Sequence, residues 1–470
     1  MDINSTREYI KVKAEEYGAK IDQTKERQDF ERRNIDKEAL NDDGAFFGFI
    51  HSEEDPSGPY HDFSFVIFPS NPDDLMSDGS QKPWLISLVI GSQGFKNDYE
   101  LASYPGLRRL FSKLVDEKGY CKSDFSDIET NLPKSITGLE KLQHLKRTIG
   151  KYSKVLSVCQ IVDNPGSEGG KKTIAAFLAG YAKLRDWPSN KDQRKAISEA
   201  LEPFIIKEDV NEEDKIKNLL FERRFVVLQG PPGSGKTRTA KMVAEKIKAI
   251  TFFTQFHAET SFSDFIYGIR PDVENKQLSY IENLGSFTVA LKYAIEHPYD
   301  KTILIVDEIN RANLSNVLGP IFYLFEHKMD KSNVEIEIYL GFKVKQLPEN
   351  FYVIATMNTA DRSLAVVDFA LRRRFAWYTL RPMTINSNQF YKEDFIRIRE
   401  IFDWYASSDE ISLQPGQGYF IASSDEEMKN RIKYEIFPLI KEYLQEGFLK
   451  IAKEEFNKYF FDRVKLSLFE

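Results

Sequence analysis

Residues 225–237 read Phe-Val-Val-Leu-Gln-Gly-Pro-Pro-Gly-Ser-Gly-Lys-Thr, an apolar run that breaks into a glycine-rich turn ending in lysine and threonine. Such a turn constrains the fold strongly. Phe225 to Leu228 predicts a buried strand, and Arg238 to Ile250 predicts a helix with Ala240, Val243, Ala244 and Ile247 on one face. Gly233 and Gly235 let the backbone curl without Cβ clashes, so that successive N–H groups face one anion. Strand, loop and helix N-terminus together make an anion site, and the spacing Gly-x-x-x-x-Gly-Lys-Thr specifies phosphate. The expected nucleotide contacts are Gly230, Pro231, Pro232, Gly233, Ser234, Gly235, Lys236 and Thr237. Lys236 supplies charge for the β and γ phosphates, and the Thr237 hydroxyl is suited to Mg²⁺.

Downstream, Thr302-Ile-Leu-Ile-Val-Asp-Glu is a continuous apolar strand ending in two carboxylates, the pattern of a buried parallel strand. Asp307 is placed for the Mg²⁺ shell and Glu308 for polarising an attacking water. Leu314, Val317, Leu318, Ile321, Phe322 and Phe325 recur at helical spacing and predict a core helix. Val334 to Leu340 and Lys343 to Leu347 flank Gly341 as a β-hairpin. A third strand, Phe351 to Thr356, leads to Asn358, a polar residue suited to sensing a γ-phosphate. Val366 to Phe375 predicts a helix ending in Arg372, Arg373 and Arg374, of which at most two can reach a neighbouring subunit's nucleotide.

The other half of the chain carries no comparable motif. At 470 residues the length suggests roughly three domains of about 150 residues. A net charge of -7 argues against a uniformly basic nucleic-acid surface and leaves any such contact local. Cys121 and Cys159 are too few for a disulfide framework and lack zinc spacing. No secretory h-region or long apolar run occurs, so a cytoplasmic protein without membrane contact is expected.

Residues 1–43 are rich in charge and predict an exposed helical lead-in. Ala45 to Ile50, Phe63 to Phe68 and Leu85 to Ile90 then read as strands of a small antiparallel sheet, and Pro105 to Val115 as an amphipathic helix. The segment from Gly91 to Tyr99, with Lys96, Arg108 and Arg109 nearby, sets aromatics beside cations as a single-stranded or flipped base requires, although ordinary hairpin chemistry explains it as well. Leu139 to Trp187 reads as helical, interrupted by a linker-like stretch from Asn164 to Gly170. The expected division is an N-terminal α+β recognition domain over 1–160, helical linker segments over 161–215, an α/β nucleotide-binding core over 216–382 and a helical lid over 383–470.

The two longest signatures, Asp307-Glu-Ile-Asn-Arg-Ala-Asn and the stretch from Met357 through Asp361 to Phe375, resemble the AAA+ domain of the McrB family, the motor subunits of McrBC-like modification-dependent restriction systems. Phe256-His, Asp264 to Pro271 and Arg431 to Tyr443 extend the resemblance over about residues 220–455. It implies a multi-domain chain whose α/β P-loop AAA+ domain has a parallel sheet and a C-terminal helical lid. It also implies a ring, commonly a hexamer, with nucleotide between subunits and Arg372 or Arg373 acting in trans. Mg²⁺ with ATP or GTP, a McrC-like nuclease partner and DNA bound through the N-terminal domain follow from the same resemblance. The stretch Asn358 to Asp361, with Asp361 as a nucleotide contact, goes with GTP in the best-known members. One departure is Gly416-Gln-Gly-Tyr-Phe, where the family's lid often reads Gly-His-Ser-Tyr-Phe. The competing expectation is a remodelling or switch ATPase that binds a protein partner and no nucleic acid.

Overall fold

The computed structural model describes residues 2–20, 30–50, 60–73, 75–137, 145–204, 212–272, 279–326, 335–360 and 369–469. The chain forms two compact units, one of residues 1–208 with 403–405 and one of residues 209–402 and 406–470.

The first unit is built on six strands: β1 (Phe30–Asn34), β2 (Phe46–Ile50), β3 (Phe63–Phe68), β4 (Trp84–Ile90), β5 (Gly119–Cys121) and β6 (Leu156–Val162). They pair antiparallel in the order β1-β2-β3-β4-β6-β5. β4 is apolar almost throughout because both faces of the sheet are covered. Trp84, Ile86, Leu88 and Ile90 share a core with Phe177 and Tyr181 of the helix Glu168–Leu184, while Leu85 and Val89 face Leu132, Ile149 and Leu156.

Three expectations are corrected here. Residues 1–43 are not merely an exposed lead-in: the helix Ile3–Glu16 buries Ile10 and Ala14, Tyr17 follows it into the core, and Phe30–Asn34 pairs with β2. The stretch read as helical from Leu139 contains β6, a seven-residue buried run whose β-branched residues suit the sheet centre better than a helix. Asn164 to Gly170 is a helix start rather than a spacer, since Ser167 accepts the Gly170 N–H at 3.0 Å as N-cap. The helix it opens lies in the first unit's core.

A buried polar network fixes the segment following β4. Asp62, in a left-handed conformation at φ 61°, accepts the N–H groups of Lys96, Asn97 and Asp98 at 2.8, 2.9 and 3.0 Å. Asp98 in turn accepts the Phe63 N–H at 2.8 Å and is paired in two-pronged fashion by Arg185 at 2.9 and 2.7 Å. Lys96 and Tyr99 remain exposed on this pinned segment, whereas Arg108 donates to the Lys122 carbonyl at 3.0 Å.

The second unit contains β7 (Phe225–Gly230), β8 (Ile250–Gln255), a hairpin of β9 (Tyr267–Asp272) and β10 (Ser279–Leu284), β11 (Thr302–Asp307), a hairpin of β12 (Ile336–Tyr339) and β13 (Phe342–Val344), β14 (Phe351–Asn358) and β15 (Ala376–Thr379). Five of these form a parallel sheet in the order β15-β7-β14-β11-β8. Alternate residues serve opposite cores, as expected for strands covered on both faces. Val227, Leu304, Val306, Val353 and Ala355 pack with Phe287 and Leu291, while Val226, Leu228, Ile303, Ile305 and Ile354 pack with Ala240, Val243 and Ala244. The helices Lys392–Tyr405, Asp425–Arg431, Phe437–Gln445 and Lys453–Val464 follow the sheet. The single helix expected through Phe325 ends at Leu318: Gly319 has φ 42° and Pro320 has no N–H to offer, so 3₁₀ turns continue to Phe325. Among the described residues no helix is long and apolar enough to cross a membrane.

Candidate functional site

The C-terminal ends of β7, β14 and β11 stand side by side, and the polar residues predicted from the sequence converge there. Gly233 and Gly235 have φ of 76° and 83°, the left-handed values their lack of Cβ permits, and the helix Lys236–Lys246 starts directly behind them. Lys236, only 7% exposed, donates to the Gly230 and Pro231 carbonyls at 3.1 and 2.9 Å and to Asn358 Oδ1. The amide nitrogen of Asn358 donates to Glu308 Oε1. Thr237 Oγ1 donates to Asp307 Oδ1 at 2.6 Å. Thus Lys236, Thr237, Asp307, Glu308 and Asn358, drawn from three segments, lie in one hydrogen-bonded cluster.

Two further residues orient the carboxylates. The buried Thr356 hydroxyl donates to Asp307 Oδ1 at 2.7 Å and accepts the Glu308 N–H at 3.0 Å. Its signal in the sequence was a threonine near the C-terminal end of a largely apolar strand. Arg311 lies 3.4 Å from Glu308 Oε2. Glu308 itself has φ 54°, a conformation uncommon for a residue with a Cβ, which turns its side chain back toward the loop. Burial raises the Glu308 carboxyl above its ordinary range; the Arg311 and Lys236 charges oppose this and Asp307 adds to it.

The residues fit a nucleotide and Mg²⁺. Ser234 is 3% exposed and its hydroxyl has no hydrogen-bond partner among the described residues, which suits a phosphate oxygen. The Thr237 and Asp307 oxygens are adjacent hard ligands. Phosphate oxygens and water would complete the shell, as Mg²⁺ commonly requires.

The three arginines separate. Arg374, with a side chain 11% exposed, pairs with Glu326 and lies over the Phe322 ring at 4.2 Å. Arg373 is 72% exposed and donates to Glu326 at 2.9 Å, and Arg372 lies over the Trp377 ring at 5.1 Å. Among the described residues, no hydrogen bond joins Arg372 or Arg373 to Lys236, Thr237, Asp307, Glu308 or Asn358. Asp361, and with it residues 361–368 of the long signature, lies outside the described residues.

A parallel sheet of this order, with a phosphate loop after β7, paired acids after β11 and an asparagine closing β14, defines a P-loop NTPase domain of the AAA+ class; residues 225–375 match the AAA domain of the dynein-related subfamily. Within that class the domain is similar to parts of two restriction-system proteins. The chain is 39% identical over 203 residues to the type IV methyl-directed restriction enzyme EcoKMcrB subunit of Escherichia coli (strain K12), a match covering 42% of this chain and 43% of that protein. It is 29% identical over 193 residues to the type II restriction enzyme BsuMI component YdiS of Bacillus subtilis (strain 168), covering 32% and 55%. The chain therefore spans about half the length of these relatives. A solved structure from Cytophaga hutchinsonii is 16% identical, with 54% of this chain and 77% of that chain covered and a TM-score of 0.26.

Proposed function

We propose that the chain is a nucleoside triphosphatase motor subunit of a restriction system, in which a ring of copies couples ATP or GTP hydrolysis to a partner nuclease and the first unit recognises target DNA. The observation that carries this reading is the convergence of Lys236, Thr237, Asp307, Glu308 and Asn358 beside the phosphate loop. The restriction setting is supported by the relatives' names, which describe components of restriction enzymes.

In this reading the loop amides from Gly233 to Thr237 bind the phosphates, and Lys236 neutralises their outer oxygens. Thr237 and Asp307 would hold Mg²⁺, which supplies charge neutralisation to the triphosphate. Glu308 accepts a hydrogen bond from the attacking water and draws off its proton, while Asn358, aimed by Glu308 and Lys236, fixes the position of that water. The test is hydrolysis of ATP and GTP in parallel, with and without duplex DNA and the product of a neighbouring nuclease gene. Turnover of one nucleotide, increased by DNA or partner, is expected; no turnover of either under any condition rejects the proposal.

Arg373, exposed beside Arg372, is proposed to complete the site of an adjacent copy. Arg373→Ala should lose about 10³–10⁵-fold in kcat. Mixing it with Glu308→Gln chains should restore turnover, because some interfaces then combine an intact Glu308 with an intact Arg373. Failure to recover at any mixing ratio would place Arg373 outside the shared site.

A further inference from the structure

A loop that turns its N–H groups toward a phosphate turns carbonyls outward, and those carbonyls need partners of their own. Here the lid supplies them. The Pro232 carbonyl accepts the Gly416 N–H at 3.0 Å, the Gly233 carbonyl accepts the Gly418 N–H at 2.9 Å, and the Ser234 carbonyl accepts Gln417 Nε2 at 2.9 Å. The other end of the Gln417 amide accepts the Met383 N–H at 3.3 Å, which fixes the direction of the side chain.

The fit is close enough to require glycine. A Cβ on Gly416 would lie 2.1 Å from the Gly233 carbonyl carbon and 2.2 Å from the Ser234 nitrogen, both main-chain atoms. A Cβ on Gly233 would meet the Tyr419 ring at 2.9 Å. A few residues earlier, the Ser412 carbonyl accepts the Thr359 hydroxyl at 3.0 Å, tying the same strap to the end of β14 beside Asn358. The strap thus spans the back of the loop and the strand that carries Asn358.

We propose that Ser412–Phe420 is a backing strap for the phosphate loop, and that Gln417 is a positioning residue that sets nucleotide affinity without touching nucleotide. By holding the Ser234 carbonyl outward, Gln417 keeps the following amides aimed inward before the phosphates arrive, so less ordering is left for the binding step. This inference rests on the reading of residues 230–237 as a nucleotide site.

The test uses the full chain, with equilibrium binding of a fluorescent non-hydrolysable nucleotide, steady-state hydrolysis and thermal melting without nucleotide. Gln417→Ala is expected to weaken binding about 2- to 10-fold, the size of effect expected for losing the hydrogen bond to the Ser234 carbonyl, and to raise KM in step. Its kcat should stay within about twofold, and its melting temperature should match wild type, as a positioning role requires. Gln417→Glu, which keeps the acceptor for Met383 and loses the donor for Ser234, should bind as weakly as Gln417→Ala. Gln417→His, which retains an N–H donor, should recover most of the affinity. Gly416→Ala should be more damaging, at least about tenfold in affinity, because main-chain atoms must shift. If that variant does not fold, the three Gln417 variants decide the matter alone. Unchanged affinity in Gln417→Ala, or a loss that appears equally in kcat and melting temperature, overturns the role of Gln417. A wild-type chain that binds neither ATP nor GTP overturns the nucleotide-site reading itself, and the inference with it.

Discussion

Glu308→Gln should bind nucleotide nearly as wild type does while its turnover falls by about 10²–10⁴-fold, the range that a positioned general base contributes. The substitution keeps the shape and the oxygen that accepts from Asn358, but removes the charge that draws a proton from water. Burial raises the carboxyl of Glu308, and the catalytic form in this mechanism is the deprotonated one. Wild-type kcat should therefore be full above that raised pKa and fall as pH drops through it, at a higher pH than an ordinary glutamate would show. The acid limb should be missing from the residual rate of the variant. Trapped nucleotide in a filter-binding assay, together with the flattened pH profile, would identify the base. Hydrolysis at the wild-type rate would remove Glu308 from the chemistry.

The largest expected effect on stability lies in the first unit. Arg185 and Asp98 have side chains 3% and 4% exposed and meet through two parallel hydrogen bonds. Arg185 also donates to the Phe63 carbonyl and, at 3.2 Å, to the Tyr181 hydroxyl. Arg185→Met would leave the Asp98 carboxylate buried without its cation, a change that costs about 3–5 kcal/mol. Hydrogen exchange of the β3 and β4 amides in the full chain measures this in the first unit alone. The double variant Arg185→Met with Asp98→Asn, which removes both charges, should regain a large part of the loss. A loss below about 1 kcal/mol in the single variant would mean that water or rearrangement satisfies Asp98.

How far each half was legible from sequence follows from where its information lies. The phosphate loop, Asp307, Glu308 and Asn358 are encoded in short local patterns, each a strand followed by its functional residue, so their order alone indicated a shared site. β6 was hidden because a run buried on both faces has no period to separate strand from helix. β1 was hidden because Phe-Glu-Arg-Arg-Asn sits at a sheet edge, where charged residues are tolerated. Nothing local in the sequence marks Asp62, Asp98 or Arg185, since the Asp98 carboxylate finds its cation 87 positions away. The strap was equally hidden. Gly416-Gln-Gly stood out only as a departure from a family pattern, and its meaning depends on carbonyls of a loop 183 residues earlier. The third arginine was separable only in space, where Glu326 and Phe322 occupy Arg374.

The sheet order also carries a consequence for assembly during synthesis. β14 inserts between β7 and β11, although it is the last of the three to be made. Until it pairs, the loop that follows β7 and the acids that follow β11 belong to strands with no hydrogen bonds to one another, and Thr356 and Asn358 are absent from both. An emerging chain that ends before β14 therefore holds the pieces of the site without the site. Long-range parallel pairing of this kind is slow to form, and a nucleotide bound at the completed site would favour finished chains over partly folded ones.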